Sequence, residues 1–201
     1  MVIDVLWSST IKRGLPHAGL LCATNPGVRQ HSILVQEGAT PEEVVDGWRN
    51  CDRQIRQWWK DNRHRVDATH LLVLEWDVRV SDNIYKYFSD QPGLQAARYV
   101  GPASVDAGWE SELNNMPDWL LSSRCGIRPL AVMHMSRECL DAIIDPIYDD
   151  VYISDIFCEV RTPTVAHHAG FPISYNRKLL GTVRAGKVYI HEKGIHHAIK
   201  P

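Results

Sequence analysis

The strongest constraint on this chain is the run Leu71-Leu72-Val73-Leu74 and the Glu75-Trp76-Asp77 segment directly after it. The four apolar residues do not alternate with polar ones, as they would on a strand with one wet face, and the run is short and passes at once into acids. A strand covered on both faces reads this way, so the segment predicts a central, parallel strand in an open sheet with helices on each side. Upstream, Ser32-Ile33-Leu34-Val35-Gln36 is a second β-prone run, and an amphipathic helix lies between the two. Thr40 caps that helix, Pro41 takes its first position, and Glu43 completes a Thr-x-x-Glu capping box. Val44, Trp48, Cys51, Ile55 and Trp59 recur at three- and four-residue steps and predict five or six turns laid on a core. Strand, helix, strand in this order makes a βαβ unit and places the chain in the α/β class.

Further along, Ser81-Asp82 predicts the cap of a short helix through Tyr87-Phe88, and Arg98-Tyr99-Val100 a short strand. Residues Gly101 to Arg124, rich in Pro, Gly, Asn, Ser and Trp and without a clean period, read as a long surface excursion of the kind that often carries function. Pro129 to Met135 predicts a strand, and Ser136 caps a helix that carries Leu140, Ile143 and Ile144 and stops at Pro146. Ser154 or Asp155 starts another helical region, broken or kinked near Pro163 and ended at Gly170, and Lys187 to His191 is the last predicted strand. No repeat, low-complexity tract or Gly/Ser linker interrupts the chain, so residues 1–201 read as one domain.

Composition removes several classes of function. With 22 Lys+Arg against 24 Asp+Glu, the chain offers no basic field for a phosphate backbone, so no nucleic-acid partner is expected. No apolar run is long enough to span a bilayer, and the first residues lack the basic start and apolar stretch of a secretory signal. Five widely spread cysteines, without a Cys-x-x-Cys pair, predict reduced thiols and a cytoplasmic protein.

Ligands of open α/β sheets bind outside the carboxyl ends of the strands, where Glu75 and Asp77 stand. Two apart on extended chain, they point to one side, and their oxygens suit a hard divalent cation such as Mg²⁺ or Mn²⁺. The plainer account is that acids mark where a buried strand surfaces. The last eleven residues hold His191, His196 and His197, with Lys200 close behind. Imidazole is a metal ligand and a lysine can meet a phosphate oxygen, although a solvated His-rich tail would look the same. No His-Glu-x-x-His or Cys₂His₂ spacing supports a zinc hydrolase. Trp109, Trp119, Asn114 and Asn115 lie in the long excursion, where an aromatic ring can stack on a sugar or simply close a core. His134, Trp59 and the pair His167-His168 read as core or helix-surface residues.

In order along the chain, these motifs carry a resemblance. Leu72-Val73-Leu74-Glu75-Trp76-Asp77-Val78 resembles the acidic strand end, usually Asp-x-Asp, of GT-A-fold nucleotide-sugar glycosyltransferases. Gly126 to Leu140 is similar to their following strand and Ser-Arg helix, Ser154 through Gly170 to their acidic acceptor-side helix, and His197-Ala198-Ile199-Lys200 to their terminal His-Pro-Val/Ile-Lys motif. The resemblance covers roughly residues 65–201.

It implies an α/β, GT-A-like open mixed, mostly parallel sheet flanked by helices, with a nucleotide-binding part over about 1–80 and a metal- and acceptor-closing part over about 81–201. It further implies that Asp77 and His197 ligate Mn²⁺ or Mg²⁺, with Glu75 as a ligand through water or a ribose contact, and that Lys200 adds charge to the diphosphate. The partners would be a nucleotide diphosphate sugar, UDP- or GDP-linked, and a sugar or glycan acceptor. In an inverting enzyme Glu159 or Asp155, four apart on one helical face, would take the acceptor proton, with Glu159 favoured because it precedes Val160-Arg161-Thr162-Pro163-Thr164. Trp109 and Trp119 would line the acceptor. Two other readings stay open: a metal-dependent phosphohydrolase or nucleotidyltransferase using the same acids, and a non-catalytic glycosyltransferase-like binding module.

Overall fold

The computed structural model describes residues 1–38, 40–102, 105, 109–153, 155–180, 183 and 193–197. Its elements run β1 (Ile3–Thr10), α1 (Ala18–Thr24), β2 (Gln30–Val35), α2 (Pro41–Arg49), α3 (Cys51–Asn62), β3 (His70–Glu75), β4 (Arg79–Val80), β5 (Leu94–Ala96), β6 (Tyr99–Val100), β7 (Gly126–Ile127), β8 (Val132–Ser136), α4 (Arg137–Ile143), α5 (Cys158–His168), β9 (Ile173–Tyr175) and β10 (Ile195–His196). Short helical turns at Glu110–Leu113 and Asp118–Leu121 lie within the predicted excursion. No helix among the described residues is long and apolar enough to cross a membrane.

Six strands form one sheet in the order β2-β1-β3-β8-β5-β9. The β1–β2, β1–β3 and β5–β9 pairs are parallel, while β8 runs antiparallel to both β3 and β5. This is the open mixed, mostly parallel sheet flanked by helices that the sequence predicts, and β3 is central in it. The two strands of the predicted βαβ unit do not touch, however. β1, unassigned by the sequence pattern, lies between them, with Val5 opposite Gln30 on one side and Leu72 on the other. Ile3, Val5, Leu6 and Trp7 are buried on its two faces, and the apolar groups divide into two clusters, one on each side of the sheet.

The predicted long helix is two. Thr40 and Glu43 form the expected capping box, but α2 ends at Arg49 and α3 restarts at Cys51. Between them Asn50 leaves the helical conformation (φ −121°, ψ 21°), and its side chain donates to Asp46 Oδ1 (2.7 Å) and accepts from Arg161 (3.0 Å), 111 residues along the chain. Only the second helix lies on the core: Ile55 and Trp59 are buried, whereas Val44 and Trp48 are exposed. Arg56 reaches across to the Ile143 carbonyl (3.1 Å), satisfying an orphan acceptor at the end of α4. At the start of α4, Ser136 accepts from the Cys139 N–H as predicted.

Helix α5 begins at Cys158, after Asp155, and passes through Pro163 without interruption. Its end is a Schellman motif: Phe171 N–H bonds the Ala166 carbonyl, Gly170 N–H bonds His167, and Gly170 supplies the left-handed φ of +89°. Near the sheet's carboxyl edge the short ladder β4–β10 pairs Arg79 with His196 and Val80 with Ile195. The expected cap at Ser81-Asp82 is replaced by Asn83, whose side chain accepts from Tyr85 N–H at the start of a 3-10 turn, Ile84–Lys86. Ser81 instead ties the terminal segment down, its N–H bonding the Gly194 carbonyl at 2.9 Å and its hydroxyl accepting from Gly194 N–H at 3.1 Å.

Candidate metal centre and adjoining cavity

Strand β3 ends at Glu75, whose N–H bonds the Ala131 carbonyl (3.0 Å), and the chain then turns, Val78 N–H closing on the Glu75 carbonyl at 3.1 Å. Asp77 lies within this turn, so its carboxylate meets that of Glu75 because the chain bends, and not by the alternation of an extended strand. The β4–β10 ladder delivers His197 to the same place. His197 Nε2 is 3.5 Å from Asp77 Oδ1 and 3.7 Å from Glu75 Oε2, and one ligand atom from each of the three residues lies within 4.8 Å of the others. Asp77 and His197 are buried and Glu75 half-buried. Residues 120 apart in sequence thus form one cluster, the three to which the sequence motifs pointed.

Two ligands each about 2.1 Å from one cation stand ~3.0 Å apart at a right angle and ~4.2 Å apart when opposed. The 3.5 and 3.7 Å separations fall between these limits. Two carboxylate oxygens and one imidazole nitrogen are also a donor set that Mn²⁺ and Mg²⁺ accept. The residues therefore fit a divalent cation. The electrostatics agree: burial disfavours a charged His197, yet Glu75, Asp77 and Glu159 outweigh it and hold its pKa above the ordinary value. Three acids around one ring leave a surplus of negative charge for a cation to complement.

Glu159, in the first turn of α5, faces this group. Burial pushes its carboxyl up to about 7, with Glu75 adding to the rise; the Leu130 N–H, which donates to Oε1 at 3.1 Å, and the charges of Arg128 and His197 oppose it. Asp155 does not share its face. It precedes the helix, is exposed, and is engaged by Arg49, which takes its carbonyl at 2.7 Å and stands 3.7 Å from its carboxylate. Trp109 is buried, stacked under Arg128 (4.0 Å) and against Gly126, where an added Cβ would approach the ring to 2.8 Å. It closes a core instead of offering a free face. Trp119 is exposed, but it packs on His168 (5.0 Å between centroids), nine residues and ~13 Å along α5 from Glu159. Lys200, His191 and the predicted strand 187–191 lie outside the described residues. His134 is buried in the core as expected.

Beside the cluster, a cavity of about 480 Å³ opens at the carboxyl ends of β2, β1 and β3. Its walls are Ser8, Ser9 and Thr10 from β1, the residues following Val35, Glu75 and Trp76, and across from them Trp48 and Cys51 of α2 and α3. Arg13 bridges the rim, its guanidinium 4.9 Å from the Trp76 ring and 3.3 Å from Glu37. The size suits a nucleoside-sized ligand, and the position is where open α/β sheets bind one. Sequence reasoning missed the β1 contribution altogether. The signal was present in the run Ile3-Asp4-Val5-Leu6-Trp7, short, largely apolar and β-prone.

No protein-family model matches the chain, and no curated protein matches it in sequence. Among solved structures, it is similar to the galactosyltransferase LgtC in complex with donor and acceptor sugar analogues (12% identity, TM-score 0.47, 86% of this chain and 72% of that one). It is also similar to a glycosyltransferase involved in glycosylating the major capsid of PBCV-1 (14%, 0.43, covering 76% and 66%) and to mouse xyloside xylosyltransferase 1 in its apo form (11%, 0.38, covering 87% and 85%).

Proposed function

We propose that the chain is a metal-dependent glycosyltransferase that moves a sugar from a nucleotide diphosphate sugar to a hydroxyl of a sugar or glycan acceptor. The observation that carries this reading is the convergence of Glu75, Asp77 and His197 at the mouth of the 480 Å³ cavity, with Glu159 facing them. In this reading the N-terminal part, about residues 1–80, holds the nucleoside between the β1–β3 strand ends and α2–α3. Asp77 and His197 hold the cation, and Glu75 holds it or a ribose hydroxyl. When bound, Mn²⁺ or Mg²⁺ supplies positive charge to the diphosphate as the glycosidic bond breaks.

Glu159 suits the proton-accepting role. A general base works best with a pKa near the operating pH, and burial brings this carboxyl to about 7. The Leu130 N–H fixes Oε1, which leaves Oε2 to receive the acceptor proton. Asp155, committed to Arg49 in solvent, is set aside for this role, which an inverting enzyme needs and a retaining one does not.

The phosphohydrolase or nucleotidyltransferase reading needs further carboxylates for a second metal. Asp82, the nearest in sequence, is occupied by Lys86 (2.8 Å) and Tyr87 (3.2 Å). Incubation with UDP- and GDP-sugars, Mn²⁺ and a panel of sugar acceptors tests the proposal. Acceptor-dependent release of nucleoside diphosphate is expected. Release of phosphate or pyrophosphate instead would move the chain to the hydrolase class, and a folded protein that binds neither Mn²⁺ nor any nucleotide would make it a binding module.

A further inference from the structure

The first residues of α3 and α5 bring two thiols together: Cys51 Sγ lies 3.7 Å from Cys158 Sγ, across 107 residues of chain. They differ in access. Cys51 is half-buried and lines the cavity, while Cys158 is buried behind it with its thiol 3.6 Å from the Trp48 carbonyl. We propose that Cys51 and Cys158 are a dithiol modification site that takes low-molecular-weight disulfides of the glutathione type from the cavity and closes to an intramolecular disulfide.

The pairing assigns each sulfur a role. The hydrogen bond with Cys51, together with burial, pushes the Cys158 thiol well above its ordinary range, so Cys158 keeps its proton, which it donates to the Trp48 carbonyl. Cys51, open to the cavity, is the attacking sulfur. Its thiolate displaces one thiolate from the disulfide and forms a mixed disulfide; Cys158 then loses its proton, attacks the Cys51 sulfur and expels the second thiolate. Two protein thiols are oxidised, one small disulfide is reduced to two thiols, and the two protons pass to the leaving thiolates. Closure needs about 1.7 Å of approach to reach a disulfide length of ~2.05 Å. Both residues stand at helix starts, where the chain can yield without breaking a helix.

The other cysteines do not compete inside the fold. Burial pushes Cys125 and Cys139 each up to about 12, which keeps them protonated and inert, and Cys22 is exposed on α1. The linked form would join the cavity wall to the helix start that carries Glu159, the residue after Cys158. The inference does not depend on the proposed transfer reaction.

The reduced full-length protein, incubated with oxidised glutathione under native conditions and then denatured, alkylated and peptide-mapped, tests it. The expected result is a monomer that has lost two of its five thiols to a Cys51–Cys158 linkage, with Cys125 and Cys139 alkylated. In Cys158→Ser the reaction should stop at glutathione on Cys51, and in Cys51→Ser residue 158 should stay free. A wild-type protein that retains glutathione on Cys51 beside a free Cys158, leaves Cys51 untouched, or links only Cys22 between two chains would overturn the proposal. The wild-type map decides even if a variant fails to fold.

Discussion

His134 offers a test of the core that is independent of the site. It lies on β8, fully buried, opposite Leu72 of β3 and Gln95 of β5, and its ring is stacked between His70 (4.7 Å, 6° between planes) and Phe88 (4.6 Å, 14°). Among the described residues neither ring nitrogen has a hydrogen-bond partner. Burial, reinforced by His70, pushes its pKa from 6.5 down to about 3. Between these values the unfolded chain binds a proton that the folded chain refuses, so stability falls as the pH falls below 6.5. At ~1.4 kcal/mol per unit, lowering the pH to 5 costs about 2 kcal/mol through this residue alone. His134→Phe keeps the stack and removes the proton site. At neutral pH its gain from deleting unpaired nitrogens, ~1–3 kcal/mol, is opposed by packing strain of similar size, so the difference between two pH values carries the test. Urea unfolding of both proteins at pH 7.5 and 5 is expected to show a pH-dependent loss about 2 kcal/mol smaller in the variant. His197 and the carboxylates titrate alike in both proteins and cancel. An equal loss in the two would refute the account of a buried neutral imidazole.

The remaining expectations concern the framework and the reaction. The Asp52 carboxylate, buried, accepts from Arg161 Nε (2.9 Å) and from the Thr162 hydroxyl (2.9 Å); Asp52→Ala takes the counter-charge from the buried Arg161 guanidinium and should cost about 3–5 kcal/mol in denaturant titration, a loss under ~1 kcal/mol contradicting the pairing. Ser136→Ala removes both the cap of α4 and the acceptor for Gly93 N–H (3.1 Å), with an expected loss of ~1–2 kcal/mol by thermal unfolding. Glu159→Gln keeps an oxygen for the Leu130 N–H but removes the proposed base; under the proposed function turnover should fall ~10²–10⁴-fold with donor affinity retained, and undiminished turnover would take that role from Glu159.

Local patterns were legible in the sequence, and long-range contacts were not. The buried strand at Leu71–Leu74, the Thr40 capping box and the Ser136 cap depend on near neighbours, and each stands where the sequence puts it. The break at Asn50 depends on Arg161, more than a hundred residues away, and no periodicity carries that contact. The surroundings of Trp109 and Asp155 were hidden for a similar reason: Arg128 and Gly126 pack on the one, and Arg49 holds the other outside the helix. Glu75, Asp77 and His197 were identified by motif order, while their convergence depends on a turn and a two-residue ladder that the sequence does not announce.

The central claim is that Asp77 and His197 hold one divalent cation for a diphosphate. Calorimetric titration of Mn²⁺, alone and with a nucleoside diphosphate, into wild type, Asp77→Asn and His197→Ala tests it most directly, with circular dichroism to confirm that each variant is folded. The account predicts metal binding by the wild type that strengthens nucleotide binding, and at least about tenfold weaker metal affinity in both variants. Unchanged Mn²⁺ affinity in the two folded variants would contradict it.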